Sequence, residues 1–220
     1  MTYLLLAVLW IGWCAIHSGM ISLATTEWLK RQLGAGYRFY RLFFNLFAVA
    51  TVMPLFAYTE SLHGPALFRW EGSLIGAQVL LLALSALLFL AGAWHYDLLQ
   101  FSGIRQITTG SSHHVLSETG RLKTTGVLSV TRHPWYLGGI LFVWAACETM
   151  DVAVLVRNMI LTAYLIVGAI LEERKLLIEF GDEYRAYQEL VPMLVPVPWR
   201  RTARPTKDDS EDQAGVARRS

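Results

Sequence analysis

Residues 132–136 read Arg132-His133-Pro134-Trp135-Tyr136 and stand where a polar stretch of the chain turns into an apolar one. Proline suits the first turn of a helix, because it lacks the N–H that would otherwise be left unpaired there. Tryptophan and tyrosine are the side chains that prefer the boundary between lipid and water. The stretch therefore predicts the entry of an apolar helix into a membrane, with Arg132 and His133 at the depth of the lipid headgroups. Taken alone, the stretch also fits a purely structural role, in which its side chains anchor the helix at the membrane surface.

The composition is that of a polytopic membrane protein. Of 220 residues, 54% are hydrophobic and 16% are charged, which is too apolar for an ordinary soluble domain. The net charge of +2 comes from basic residues in short clusters between apolar runs, so nucleic acid is not expected as a partner. Cys14 and Cys147 both lie inside apolar runs, and the spacing of Cys and His predicts neither a disulfide framework nor a metal site.

Apolar runs predict an all-α fold with five transmembrane helices, because about 20 apolar residues cross roughly 30 Å of hydrocarbon. The runs are residues 4–24, 42–58, 74–94, 135–150 and 152–171. Beyond the last run, apolar and aromatic residues recur at three- and four-residue spacing as far as Tyr187, which predicts a C-terminal amphipathic helix. Gly181 is expected to interrupt this helical stretch.

The loops predict the orientation of the chain, because cytoplasmic loops are enriched in lysine and arginine. Residues 27–41 and residues 95–132 each hold four of these cations, whereas residues 59–72 hold one. We therefore expect the N-terminus outside and the C-terminus in the cytoplasm, with the protein in the inner membrane of a bacterium. Residues 1–199 are predicted to form one membrane-embedded domain, and residues 200–220 a disordered polar cytoplasmic tail.

Glu172 and Glu173 are adjacent carboxylates at the end of the last apolar run. They repel each other, and the dipole at the C-terminal end of a helix makes both less favourable. Either the neighbouring Arg174 and Lys175 offset this locally, or one carboxylate points into a cavity and meets a cation. Since a tight turn joins the last two runs, we expect residues 132–136 to share that cavity. An amphipathic ligand with a positive centre and a heteroaromatic ring would fit it.

Two separated motifs resemble the isoprenylcysteine carboxyl methyltransferase and phospholipid methyltransferase superfamily. They are Leu122-x-Thr124-x-Gly126 with Arg132-His133-Pro134-x-Tyr136-x-Gly138, and Glu172-Glu173-x-x-Leu176-x-x-x-Phe180-Gly181-x-x-Tyr184-x-x-Tyr187. Further motifs resemble the nurim-like branch, which includes bacterial methanethiol S-methyltransferases. These are His17-Ser18-x-Met20, His95-Tyr96-Asp97-Leu98, Gly103-Ile104-Arg105-Gln106 and Thr162-Ala163-Tyr164.

The resemblance implies a membrane-embedded methyltransferase that uses S-adenosyl-L-methionine as its cofactor. The residues that it implies for cofactor binding are Leu122, Lys123, Leu128, His133, Pro134, Trp135, Tyr136 and Glu172. The residues expected to be catalytic are Arg132, His133 and Glu173. His17 and Arg105 are expected to bind the methyl acceptor.

The expected acceptor is a small or lipophilic molecule, with methanethiol as the first choice and dimethyl sulfide as its product. Leu128 stands where the prenylcysteine enzymes carry a cofactor-contacting tyrosine, and Gly168 where they carry a substrate-binding arginine. The second difference favours a small or neutral acceptor over a carboxylate. Arg132, Arg105 or Arg121 is expected to stabilise the acceptor thiolate, and His133 or His17 to take its proton.

Two other functions fit the same sequence. The first keeps the chemistry and changes the acceptor to a prenylcysteine-type carboxylate or a phospholipid amine. The second is a non-catalytic, nurim-like membrane scaffold, which would not need both halves of the cofactor motif. Besides the acceptor and the membrane lipids, the sequence predicts no obligatory protein partner.

Overall fold

The computed structural model describes residues 1–94, 98–109, 122 and 124–196. Within them the chain is helical, apart from loops, two short 3-10 turns and two strands of two residues each. The elements in chain order are α1 Thr2–Met20, α2 Leu23–Leu33, α3 Tyr40–Ser61, β1 Phe68–Arg69, α4 Leu74–Ala93, α5 Leu98–Ser102, α6 Ile104–Thr109, α7 Pro134–Ala145, β2 Thr149–Met150, α8 Val152–Phe180 and α9 Asp182–Leu190. The 3-10 turns are Gly34–Phe39 and Gly126–Ser129. The predicted tail lies outside the described residues.

Four helical segments are long and apolar enough to cross a membrane. They are Thr2–Met20, Leu23–Ser61, Leu74–Ala93 and Val152–Phe180. Each contains most or all of one of the five predicted spans, so four candidate spans are helices of sufficient length. The remaining one, α7, has only 12 residues and would extend about 18 Å at 1.5 Å per residue. A total of five membrane crossings stays a prediction.

Helix α7 ends earlier than the apolar run predicted, because strand pairing takes up the residues that follow it. Thr149 and Met150 pair in antiparallel register with Arg69 and Phe68. The N–H of Leu67 also donates to the carbonyl of Met150. Backbone groups that bond across two loops cannot also continue the helix. The pairing joins the loop after α3 to the loop before α8.

The polar connection predicted for residues 27–41 is itself mostly helical. The Ser22 hydroxyl caps α2 by accepting a hydrogen bond from the backbone N–H of Thr25 at 3.3 Å. Serine in this position satisfies one of the backbone donors that a helix N-terminus leaves open. The connection is therefore a short helix and a 3-10 turn leading directly into α3.

The packing places α8 between α1 and α7, while α4 packs against the other side of α7. Leu6, Trp10, Ala153 and Leu161 form the buried cluster between α1 and α8. Helices α4 and α7 approach closely at Gly138, where an added Cβ would lie 3.3 Å from the carbonyl oxygen of a residue in α4. Many large apolar side chains on these helices face outward, which suits contact with lipid.

The C-terminal part folds back onto the start of α7. Helix α8 runs on past its apolar part to Phe180, and Gly181 then breaks it with a φ of +55°. The predicted interruption at Gly181 is confirmed, and its cause is that glycine adopts a positive φ at little cost. Helix α9 follows and buries Tyr184 and Tyr187 against Leu128 and neighbouring side chains. Sequence periodicity therefore identified the buried face of α9.

A sharp corner between α5 and α6 lies against the start of α3. Gly103 forms the corner with a φ of +92°, and a Cβ at this position would lie 2.7 Å from the backbone nitrogen of Leu42. The Asn45 amide donates hydrogen bonds to the carbonyls of Phe101 at 3.0 Å and Ser102 at 3.1 Å. The corner thus fixes the end of α3 where Arg41 lies.

We predict that Gly103→Ala lowers the free energy of unfolding by about 2 kcal/mol, because it combines a strained φ with a backbone overlap. The measurement is thermal unfolding in detergent, followed by tryptophan fluorescence. Gly36→Ala is the matched control, because its Cβ would meet Leu33 at an ordinary 3.9 Å and its φ is not positive. Equal melting temperatures for the two variants would contradict the prediction.

Candidate active site at the ends of helices α7 and α8

The carboxylate of Glu173 contacts four other side chains. Its Oε1 accepts a hydrogen bond from Arg132 Nε at 2.6 Å and lies 3.2 Å from His133 Nε2. The Tyr184 hydroxyl donates to the same oxygen at 3.4 Å, and Gln188 Nε2 donates to Oε2 at 2.8 Å. Because an ionised carboxylate only accepts, His133 carries a proton on Nε2. We call these five side chains the Glu173 cluster.

The guanidinium of Arg132 is also tied to the C-terminal part of the chain. Its Nη1 donates to the backbone carbonyls of Gln188, at 3.0 Å, and of Val191. The backbone N–H groups of Arg132 and His133 donate to the carbonyls of Pro192 at 3.0 Å and of Met193 at 3.2 Å. The start of α7 is therefore held by α8, by α9 and by the extended residues that follow α9.

In the Glu173 cluster, Arg132, His133 and Tyr184 are buried, and Glu173 and Gln188 are partly buried. Arg132 is 8% exposed and His133 is 1% exposed. Charges in such a place are tolerated when they are paired, as those of Arg132 and Glu173 are. Burial and the negative charge of Glu173 raise the pKa of Tyr184 above its ordinary value, so that its phenol stays protonated at neutral pH.

One polar atom of the cluster is left without a partner among the described residues. This atom is Nδ1 of His133, which is buried and makes no hydrogen bond there. In the form of the ring that carries its proton on Nε2 alone, Nδ1 is an acceptor. The ring of Tyr136 packs edge-on against the imidazole, with 5.4 Å between the ring centroids. An orphaned buried acceptor beside an aromatic ring suits a ligand with a donor group.

Tyr136 lies against α8 at the position where the helix has no side chain. A Cβ added to Gly168 would lie 2.9 Å from Tyr136 Cε1. Residues four apart lie on the same face of a helix, so Tyr164 and Glu172 flank Gly168 along α8. Glu172 makes no hydrogen bond or ion pair with the residues described. The structure therefore brings a free carboxylate, a phenol and an open imidazole nitrogen to one end of the bundle.

Other predicted site residues lie elsewhere. Trp135 points to the opposite side of α7, where its Nε1 donates to the carbonyl of Phe89 at 3.0 Å. Leu128 is buried in the apolar cluster under α9, and Leu122 packs against that cluster. Arg105 lies on α6, which contacts the 3-10 turn before α3. Further predicted residues are Pro134, which begins α7, and Lys123, which lies outside the described residues.

His17 belongs to α1 and lies beside Tyr164, which is farther along the same face of α8. Its ring stacks on Trp13 at 4.9 Å and lies edge-on to Tyr164 at 6.0 Å, measured between ring centroids. Because Tyr164 and Gly168 are four residues apart, the surroundings of His17 are about 6 Å from those of Tyr136 along the helix axis.

Sequence reasoning did not identify Gln188 or the backbone carbonyls that bind Arg132. Gln188 lies one helical turn after Tyr184, so the face of α9 that buries the tyrosine also carries the glutamine. That spacing was a usable signal. The bonds to the carbonyls of Val191 and Pro192 could not be predicted from the sequence, because every residue has a backbone carbonyl.

These observations define the class of the chain as a helical membrane protein with a polar site at one end of its bundle. The chain belongs to the family described as "Protein of unknown function (DUF1295)", whose model matches residues 24–191. The resemblance to the isoprenylcysteine and phospholipid methyltransferase superfamily, in its methanethiol S-methyltransferase-like branch, is confirmed by the relatives that follow. No solved structure matches the chain significantly.

Methanethiol S-methyltransferase 1 from Bradyrhizobium diazoefficiens is 42% identical over 110 residues, which are 49% of this chain and 35% of that protein. Methanethiol S-methyltransferase from Pseudomonas deceptionensis is 40% identical over 77 residues, 35% of this chain and 29% of that protein. A Pseudomonas sp. protein of the same name is 28% identical over 193 residues, 86% of this chain and 72% of that protein. The chain thus spans about a third of the length of the first two relatives.

We predict that the two adjacent glutamates differ in their effect on stability. Glu173→Gln leaves the buried guanidinium of Arg132 without a counter-charge and should lower the free energy of unfolding by about 3 kcal/mol. Glu172→Gln breaks no contact with the described residues and should change it by less than about 0.5 kcal/mol. Thermal unfolding of both variants in the same detergent is the measurement. A smaller loss for Glu173→Gln than for Glu172→Gln would contradict the assignment of the cluster.

Proposed function

We propose that the protein is an integral membrane methyltransferase that takes its methyl group from S-adenosylmethionine and passes it to a small thiol, with methanethiol as the best candidate. The proposal is supported by the position of three groups where the start of α7 meets the end of α8: the carboxylate of Glu172, which has no partner among the described residues, the ring of Tyr136 and the unbonded Nδ1 of His133. The names of the relatives agree with it, since three matched proteins are called methanethiol S-methyltransferases.

The residues fit the proposed methyl donor by charge and shape. S-adenosylmethionine supplies a methyl group activated by a positively charged sulfur. Glu172 has no partner in the described residues and would pair with the ammonium group of the amino-acid end. Tyr136 offers an aromatic face, which attracts a cationic centre. His133 Nδ1 accepts a hydrogen bond from a donor group of the bound molecule. Together these three residues bind and orient the ligand.

Arg132 and Glu173 are proposed to position the site. Their hydrogen-bonding groups are engaged with each other, with His133 and with the chain after α9. Glu173 fixes the proton of His133 on Nε2 and so leaves Nδ1 facing the ligand. The sequence assigned catalytic roles to both residues. In the geometry described here they act through the imidazole, and His133 is the member of the trio that would touch the ligand.

The surroundings of Gly168 favour a small acceptor. The space that a side chain would occupy at this position is filled by the ring of Tyr136. No cation of α8 can therefore reach the site from position 168, which weakens the alternative of a carboxylate acceptor. A thiol needs no such cation in the ground state, because it is neutral when it enters.

The expected topology belongs to the same proposal. Five crossings put the N-terminus outside and the site at the cytoplasmic end, in the inner membrane of a bacterium. S-adenosylmethionine would then enter from the cytoplasm, whereas an apolar thiol can arrive through the lipid. Helix α9 would lie on the cytoplasmic side as the amphipathic element of a membrane-embedded domain of residues 1–199.

The test combines product detection with donor binding. Purified protein, S-adenosylmethionine and methanethiol should release dimethyl sulfide, measured by gas chromatography of the headspace. Glu172→Gln should weaken S-adenosylmethionine binding at least about tenfold in calorimetry, because a charged hydrogen bond is lost, while the melting temperature stays unchanged. Glu179→Gln, at an exposed position of the same helix end, is the control. Unchanged donor affinity in Glu172→Gln would contradict the proposed binding site.

A further inference from the structure

A second group of side chains lies between α1, α3 and α8, apart from the Glu173 cluster. The imidazole of His17 stacks on Trp13 with 4.9 Å between centroids, lies 4.7 Å from the ring of Phe44 and meets Tyr164 edge-on at 6.0 Å. Three aromatic rings thus surround one imidazole. Arg41 completes the group, which we call the His17 box.

Arg41 is the unusual member of the His17 box. Its Cζ lies 5.8 Å from the centroid of Phe44, the ring that also contacts His17, and 5.4 Å from the centroid of Phe101. Its Nε donates to the carbonyl of Phe101 at 3.2 Å.

No carboxylate pairs with Arg41 among the described residues. A guanidinium that is partly withdrawn from water between aromatic rings costs free energy unless an anion meets it. Its contact with the Phe101 carbonyl uses one of five N–H donors. The remaining donors are available to an anionic ligand, and the aromatic rings around them suit a polarisable, weakly hydrated one such as a thiolate.

The position of the His17 box along α8 relates it to the proposed donor site. Tyr164, Gly168 and Glu172 follow one another at four-residue spacing on one helix face. The box at Tyr164 and the carboxylate of Glu172 are therefore about 12 Å apart along the axis, with Tyr136 between them at Gly168. A donor held at its amino-acid end by Glu172 would direct the rest of the molecule toward the box.

We propose that the His17 box is the binding site of the acceptor thiol, and that Arg41 stabilises its thiolate. This inference rests on the proposed methyltransferase function. The thiol S–H bond breaks and its proton moves to the imidazole of His17. A lone pair of the thiolate sulfur forms the new S–C bond, while the electrons of the donor's S–C bond return to the donor sulfur. The products are two neutral thioethers, and the proton leaves from His17 to solvent.

Arg41 suits this role better than the arginines that the sequence suggested. Arg132 is held by Glu173 and by backbone carbonyls, so its charge is already neutralised. Arg121 lies outside the described residues. Arg105 lies on α6, whereas Arg41 shares the ring of Phe44 with the imidazole that would accept the proton.

The test measures thiol kinetics and donor binding in Arg41→Met. At pH 7 we expect KM for methanethiol to rise at least about tenfold, since a charged interaction with the thiolate is lost. The dissociation constant of S-adenosylmethionine should stay within twofold of wild type. Raising the pH to 9 should shrink the KM difference, because more thiolate then forms in solution without help from the protein. Arg38→Met, an exposed arginine of the same connection, should behave as wild type.

The outcomes separate the two proposals. If wild-type protein makes no dimethyl sulfide, the proposed function itself fails. If wild type is active and Arg41→Met keeps its KM for methanethiol, or if its defect does not change with pH, the assignment of Arg41 is overturned. If Arg41→Met shows no cooperative melting transition and has therefore lost its fold, Arg41→Gln decides. Glutamine keeps a polar side chain but removes the charge, so a rise in KM of about tenfold or more supports the assignment and a wild-type KM overturns it.

Discussion

The structure depends on one partly buried carboxylate, that of Glu173. It accepts hydrogen bonds from Arg132, from His133 and from α9, and so joins the start of α7 to the end of α8. Because each of these groups would be costly to bury alone, the cluster forms only when all three segments are in place. Arg132 extends the constraint to the carbonyls of Gln188 and Val191. The motif at the start of α7 thus gains its position from residues that lie some 40 to 60 positions later.

The same constraint separates the roles of two adjacent glutamates. Neighbouring residues on a helix point about 100° apart, so Glu173 faces the cluster while Glu172 lies on the face of Gly168 and Tyr164. Glu173 is bonded within the cluster, whereas Glu172 makes no hydrogen bond or ion pair with the described residues and is the one proposed to bind the donor. The absence of a side chain at Gly168 lets Tyr136 pack onto α8 between Glu172 and Tyr164. Three groups therefore follow one another along this face of α8. They are the carboxylate of Glu172, the ring of Tyr136 packed at Gly168 and the ring of Tyr164.

Much of this arrangement was predictable from the sequence. Apolar runs located the long helices, and helical periodicity with Gly181 located the break before α9. The convergence of the two motifs followed from the short turn between the last two apolar runs. Periodicity, however, does not say which neighbour a face will meet. It therefore did not show that Trp135 turns to α4 or that Gln188 joins the cluster. It also did not show that Arg41, which pairs with no carboxylate among the described residues, lies near the same ring of Phe44 as His17. The end of α7 depends on pairing between two strands from distant loops. Each strand has only two residues, which is too short to give a recognisable sequence pattern.

The central claim is that the ends of α7 and α8 hold the methyl donor. Ultraviolet photolabelling with S-adenosylmethionine, radioactive in its methyl group, tests it most directly when the labelled peptides are mapped by mass spectrometry. The account predicts label in residues 132–139 or 164–173, suppressed by an excess of unlabelled donor. Label confined to the opposite end of the bundle, in residues 62–73 and 146–157, would contradict it.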